Sequence, residues 1–168
     1  MPTAVSAAEA RAGGDAPLVI RRDDLEGEAT RGLLALHLAG MRGASPPGSV
    51  YALDLSGLLQ PGVTVWTAWR GEAIAGVAAM KLLGEGRAEI KSMRTHPDHL
   101  RRGVAAALLD HVVAQARAGG LERLCLETGS GPAFAPALAL YRARGFTPGE
   151  PFSDYVPSAF NQFLHLAL

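Results

Sequence analysis

Apolar positions recur along this chain with two periods, and the switches between them mark out the elements. "PLVIRRDDL" reads as a short strand over 18–21. "EATRGLLALHLAGMRG" then places Leu33, Leu34, Leu38 and Met41 at helical spacing. "ASPPGS" stops that helix, because two prolines and Gly48 cannot continue it. "VYALDLSGLL" reads as a second short helix before the turn "QPG". "VTVWTAW" and "AIAGVAAMKLL" are strand-like runs joined by "RGE", and "RAEIKSMRT" is a third strand after "GEG". Such short connections make the three strands consecutive and antiparallel. The period changes again at Gly103. The stretch 103–118 is a helix with Val104, Leu108 and Val112 on one stripe, stopped by Gly119 and Gly120. "LERLCLET" returns to strand, and a strand–helix–strand crossover makes its two strands parallel neighbours. "PALALYRARGF" is a further helix, with Pro136 near its start, Gly145 as a left-handed stop and Phe146 packing back. "NQFLHLAL" closes the chain as a strand. The expected architecture is a single α/β (α+β) domain over 18–168. Its sheet is mixed and mostly antiparallel, flanked by helices, and locally parallel at the crossover.

Composition narrows the class. A chain of 168 residues sustains one sizeable core. Its 16 Lys and Arg balance 16 Asp and Glu, which argues against a chain-wide nucleic-acid surface and leaves room for a local basic site. No apolar run reaches the roughly 20 residues that a membrane helix needs. "MPTAVSAAEARAGGDAP" has no compact apolar segment behind a basic start, so it is read as a flexible tail over 1–17 and not as a signal peptide. The single cysteine, Cys125, forms no intrachain disulfide and suits a small core position in a reducing, cytoplasmic setting. His96 and His99 bracket "PD" in a turn with no third ligand at suitable spacing, so no metal site is expected.

The stretch richest in chemistry is "HLRRGVAAALLDHV", at the start of the central helix. No Ser, Thr, Asp or Asn stands beside Gly103 as a cap. Arg101 and Arg102 instead add positive charge where a helix end already carries it. A bound anion resolves both oddities. Gly103 lets backbone approach a ligand, the first-turn amides point outward as donors, and the arginines add charge-assisted contacts. An ordinary helix start with solvated arginines fits the segment alone equally well. A P-loop is excluded because no G-K-S/T is present, and a dinucleotide fingerprint because no G-x-G-x-x-G follows a strand.

The wider stretch "AEIKSMRTHPDHLRRGVAAALLDHV" resembles the central motif of the GNAT superfamily of N-acetyltransferases. "ALALYRARGF" resembles that family's second signature, a helix with a tyrosine just before a G-F stop. The order and spacing of elements match from about residue 18 to the C-terminus. The resemblance implies acetyl-CoA as cosubstrate, no metal, and a parallel strand pair that splays at the cofactor site. In the family's R/Q-x-x-G-x-G/A loop, backbone amides hold the CoA pyrophosphate. Leu100 stands here at the R/Q position, a departure, and Arg101, Arg102, Gly103, Val104 and Ala105 fill the rest. Met93, Arg94 and Thr95 lie where free strand amides would bond the pantetheine arm, one of them stabilising the oxyanion. "EIKSMRT", "HLRRGVA", "LETG", "LYxxxGF" and "PFxDY" together resemble a group of small bacterial acetyltransferases, some bearing the name indole-3-acetic acid acetyltransferase. That substrate name is not carried over to this chain. The group has "SPPES" followed by V-H-A-L-D. Here "SPPGSVYALD" puts Gly48 and Tyr51 at the Glu and His positions, so the acceptor differs if that loop lines its pocket.

By the same resemblance, Glu89 falls at the general-base position of the histone-acetylating branch, counting back from Gly103. Lys91 lies two residues along on the same strand face and offers a rival role, an ion pair that keeps Glu89 charged. Tyr141 resembles the family's general acid, placed to protonate the CoA sulfur, although its stripe with Ala137 and Leu138 also suits plain packing. His37, Tyr51, Lys91, Glu127 and Tyr155 are the expected acceptor residues, with Arg94, Asp154 and the loop 45–54 nearby. The two cations suit an acceptor bearing a carboxylate. The leading reading is acetyl transfer to a primary amine of a small molecule by direct attack in a ternary complex. A protein or peptide acceptor in an open groove, and a CoA-binding module without chemistry, stand as alternatives. No nucleic acid or membrane is expected as a partner, and a homodimer is left open.

Overall fold

The computed structural model describes residues 16–50 and 53–168. The chain runs β1 (Leu18–Arg22), α1 (Glu28–Ala44), α2 (Leu55–Leu58), β2 (Val63–Arg70), β3 (Ala73–Gly84) and β4 (Arg87–Thr95). It continues through α3 (Val104–Ala118), β5 (Arg123–Thr128), α4 (Ala135–Ala143), β6 (Thr147–Pro148) and β7 (Gln162–Ala167). The strands form one sheet in the order β1-β2-β3-β4-β5-β7-β6. Every neighbouring pair is antiparallel except β4 and β5, which run parallel across the α3 crossover.

The centre of the sheet is covered on both faces, which explains the unbroken apolar run in β3. One face meets α3 and α4, where Ala75, Ala78 and Met80 of β3 pack with Val104, Leu108, Val112 and Leu138. The other face meets α1 and α2, where Ile74, Val77 and Ala79 pack with Leu33, Leu34 and Leu58. A register shift between β2 and β3 sets Ala68 opposite Gly76 and Trp69 opposite Ile74, leaving Ala75 as the extra residue. Gly76 follows it on the α3 side. A Cβ there would lie 2.8 Å from Leu108 Cδ1, 2.8 Å from Val104 Cγ1 and 3.1 Å from the Arg94 carbonyl. The absent side chain is what lets α3 lie this close.

A second irregularity shapes the site. Between the pairs Ala79↔Lys91 and Val77↔Arg94, β4 places two residues, Ser92 and Met93, where β3 places one, Ala78, and Ser92 has a left-handed φ of 55°. Such a bulge bends and twists its strand. β4 pairs with β5 only at Arg87↔Arg123, Ala88↔Leu124 and Glu89↔Cys125. Beyond Glu89 the two strands part, while β5 remains paired with β7 along its full length.

Several boundaries refine the pattern reading. The buried stripe of α1 runs through Thr30, Leu33, Leu34 and His37, and Leu38 is only half-buried. The polar His37 completes the stripe that apolar spacing alone had drawn through Leu38. The second short helix is confined to α2, capped by Asp54, whose Oδ1 accepts from the Gly57 amide at 2.9 Å. β5 starts two residues later than the pattern, because Leu121 N still bonds Ala116 O and Glu122 N bonds Gly86 O. β6 has no counterpart in the apolar pattern. α4 ends as its sequence predicts: Gly145 has φ 91°, its amide bonds Arg142 O, and the Phe146 amide bonds Tyr141 O. Of the tail expected over 1–17, only Ala16 and Pro17 fall within the described residues, and the Ala16 carbonyl accepts from Arg70 Nη1 at 3.1 Å. Among the described residues, no helix is long and apolar enough to cross a membrane.

Gly76→Ala should destabilise the fold by about 1–3 kcal/mol, since the new methyl meets two buried side chains and a backbone carbonyl. Denaturant unfolding checks this; an unchanged midpoint would show that α3 is free to shift.

Candidate active site

The parting of β4 and β5 leaves a cleft, and two cavities occupy it. The larger, about 620 Å³, is lined by Met93, Arg94 and Thr95, by the loop residues Pro97, Leu100, Arg101 and Gly103, and by the facing surfaces of α3 and α4. The smaller, about 340 Å³, lies between the splayed strands and α1 and includes His37, Glu89, Lys91, Glu127, Tyr141 and Tyr155 in its lining. Met93, Arg94, Ala133, Ala137 and Tyr141 line both, so the cavities meet there.

The wall of the larger cavity is built by an uncapped helix start. The His96 imidazole accepts from the Asp98 amide at 3.1 Å and holds the turn Pro97–His99. Leu100 is then extended and 58% exposed. Arg101 and Gly103 both have left-handed φ, 57° and 78°, and α3 begins with no side-chain cap. The first internal bond of the helix runs from Ala107 N to Gly103 O, so the amides of Val104, Ala105 and Ala106 have no intrahelical acceptor. All three residues line the cavity. Arg102, expected beside them, is not among the lining residues; its carbonyl accepts from Arg70 Nη2 at 3.2 Å.

The smaller cavity separates two carboxylates by environment. Glu89 is 3% exposed, and its Oε1 accepts from Lys91 Nζ at 3.2 Å and from the Tyr155 hydroxyl in a short contact. Lys91 also donates to the Tyr155 oxygen at 2.7 Å. The three side chains form a closed set. Tyr155 is positioned by rings, packing edge-on against Phe152 and Phe163. Glu127 sits on β5 just past the last β4 pairing, with Oε2 buried and without a hydrogen-bond partner. Burial pushes its carboxyl up to about 7, against the pull of Lys91 and of a hydrogen bond with the Asn161 side chain, and with the added push of the Glu89 charge. His37 is 7% exposed with an unpartnered Nδ1, and burial, helped by the charge of Arg94, holds it down to about 4. Tyr141 is buried at the junction, its hydroxyl 3.9 Å from Met93 Sδ, and burial pushes its pKa up to about 12.

The structure thus gathers His37, Lys91, Glu127 and Tyr155 around one cavity with Glu89 and Tyr141. Tyr51 lies outside the described residues. Asp154, expected nearby, is exposed and not among the lining residues. The ion pair between Glu89 and Lys91 forms as their spacing suggests. Pattern reasoning did not single out Ser92, Thr128, Phe134 or Gly40, which also line the cavity. Gly40 had a detectable signal, a glycine inside a helix where alanine is favoured. Among the described residues, no group of three His, Cys, Asp or Glu is disposed to hold a metal ion.

Comparison with known proteins bears on this arrangement. The family profile described as Acetyltransferase (GNAT) family matches residues 32–146. The chain belongs to the acetyltransferase (GNAT) family. A protein of Escherichia coli (strain K12) named the uncharacterized N-acetyltransferase YedL is 46% identical over 149 residues, covering 89% of this chain and 94% of its own length. The IAA acetyltransferase of Azospirillum brasilense is 34% identical over 124 residues, covering 73% and 80%. An acetyltransferase of Bacillus subtilis, solved in complex with CoA, superposes with a TM-score of 0.65 at 18% identity, covering 90% of this chain and 99% of that one, a likeness of fold. This GNAT protein is an acyltransferase, an acetyl-CoA-dependent N-acetyltransferase.

The raised carboxyl of Glu127 has a consequence for stability. Between the ordinary value of 4.5 and about 7, the unfolded chain releases a proton that the fold retains. The group's contribution is therefore full at low pH and lost as pH rises through about 7. Glu127→Gln, which cannot ionise, should gain on the order of 1 kcal/mol over wild type at pH 8.5, or about 2–4 °C in Tm, and much less at pH 5. Thermal unfolding at both values checks it; equal shifts at the two would contradict a buried, titrating carboxyl.

Proposed function

We propose that this GNAT acetyltransferase moves the acetyl group of acetyl-CoA to the primary amine of a small molecule, by direct attack with both substrates bound. The observation that carries the proposal is the meeting of two cavities at Met93 and Tyr141. The smaller, at about 340 Å³, is within the range of small-molecule sites, whereas a peptide acceptor calls for an open groove. A lone CoA-binding module would need only the larger. The domain 18–168 is the catalytic unit in this reading, and a cytoplasmic setting accords with the buried thiol of Cys125.

The larger cavity suits a pyrophosphate-bearing ligand. Three residues whose amides lack internal acceptors line it, at a helix start with no side-chain cap. Val104, Ala105 and the Arg101 guanidinium would hold the pyrophosphate. The edge of β4 at Met93, Arg94 and Thr95, unpaired on the β5 side, would bond the pantetheine arm and receive the oxyanion. Acetyl-CoA supplies the activated acyl group. Glu127 takes a proton from the attacking amine at Oε2, since its unpartnered oxygen and its value near 7 suit a base at neutral pH. Glu89, occupied by Lys91 and Tyr155, anchors the wall of the pocket and acts as an electrostatic neighbour. This assignment departs from the position implied by the histone-acetylating branch. Tyr141 keeps its proton throughout the working range. The burial that keeps it there also penalises a thiolate leaving beside it, so the hydroxyl can donate to the departing sulfur.

In thiol-release kinetics with acetyl-CoA and an amine panel, wild-type kcat/KM should fall below about pH 7. Glu127→Gln should lower kcat by about 100-fold or more and remove that limb. Glu89→Gln should weaken the fold but keep the limb; a limb that vanishes with Glu89 and survives without Glu127 would reverse the two assignments. Tyr141→Phe leaves the packing nearly unchanged, so wild-type turnover in it would refute the acid role. For cofactor binding, Gly103→Val forces a side chain into left-handed backbone and should weaken CoA by roughly tenfold. Leu100→Ala should change the affinity far less, and calorimetry separates the two.

A further inference from the structure

We propose that Arg94 is the specificity residue for the acceptor and binds a carboxylate, so that the natural acceptors are amines that also carry a carboxylate, the chemistry of amino acids. The inference rests on the small-molecule amine reading and narrows it. Its basis is a charge census of the smaller cavity. Lys91 is consumed by Glu89 and Tyr155. His37 is buried and uncharged at neutral pH. Arg94 is half-buried, and among the described residues it has no carboxylate within ion-pair distance. Among the described residues, one cation is therefore left without a counter-charge beside the proposed junction of transfer.

The site is shaped to keep it there. The Arg94 guanidinium lies against α1 at Gly40, where a Cβ would stand 3.0 Å from Nη1, 3.1 Å from Nη2 and 3.4 Å from Cζ. A helix gives up stability to carry a glycine, and this one provides the space that the planar group fills. His37, one turn earlier on α1, adds a buried Nδ1 with no partner. A guanidinium removed from water favours a carboxylate, which it meets through two parallel hydrogen bonds. The same cavity holds Glu127 across the cleft, on β5. An acceptor with its carboxylate at Arg94 and its amine toward Glu127 neutralises the leftover charge and presents the nucleophile to the base.

The test compares the proteinogenic L-amino acids with their carboxamides and with polyamines as acceptors, with acetyl-CoA as donor and thiol release as readout. At least one acid should be acetylated with kcat/KM roughly tenfold to hundredfold above its amide, the range of a charge-assisted hydrogen bond. Arg94→Gln should pull that ratio toward one, mainly through KM, and Arg94→Lys should keep part of it. Gly40→Val, which takes the guanidinium's space without altering residue 94 itself, should also lower the ratio. A purely structural role for Arg94 would depress acids and amides alike, and that result overturns the inference. Acetylation of amides or polyamines with every acid untouched overturns it alone. Failure of all amines, acid and amide alike, overturns the small-molecule reading with it.

Discussion

The whole site depends on where one parallel ladder stops. β4 and β5 share three residue pairs and then separate at Glu89 and Cys125. Ordinary sheet economy would continue the ladder, since exposed edge groups cost stability unless something pairs with them. The extra residue at Ser92 bends β4 out of that continuation, and β7 fixes β5 from its far side. The chain thereby forgoes strand-to-strand bonds and keeps donors and acceptors available for a ligand. Both cavities, the junction at Met93 and the exposure of Glu127 toward the cleft follow from that one interruption.

The same interruption separates two carboxylates that stand on adjacent strands. Glu89 belongs to the last paired position and is enclosed by an ammonium and a phenol. Glu127 lies two residues beyond Cys125, the pairing partner of Glu89, and its Oε2 is buried without a hydrogen-bond partner. Glu127 feels Lys91 and Asn161 as well, but for it burial outweighs them. The outcome is a carboxylate tied into an ion pair next to one whose pKa is raised, a difference produced by environment and not by residue type.

Much of this was legible in the chain. The stripe of α3, the left-handed stop at Gly145, the uncapped start at Gly103 and the same-face spacing of Glu89 and Lys91 are local properties, and local periodicity reports them. Other features are set by distant partners. The insertion of β7 beside β5 depends on the whole sheet, and nothing near residues 162–167 encodes it. Alternation along β4 fails past Ser92 because the bulge resets the facing pattern. For that reason the side chain of Arg94 could not be directed from spacing, and Lys91 and Arg94 looked like equivalent cations. Glu127 was placed near the acceptor by resemblance, but its raised carboxyl comes from burial that only the fold creates.

Arg70 has a consequence of a mechanical kind. Its two terminal nitrogens reach in different directions, one to the carbonyl of Ala16 ahead of β1 and the other to the carbonyl of Arg102 ahead of α3. A single guanidinium thus ties the lead-in of the first strand to the loop that precedes the central helix. Strain applied at the lead-in, for example by a fused partner pulling on residue 16, would be transmitted to that loop over the length of one side chain.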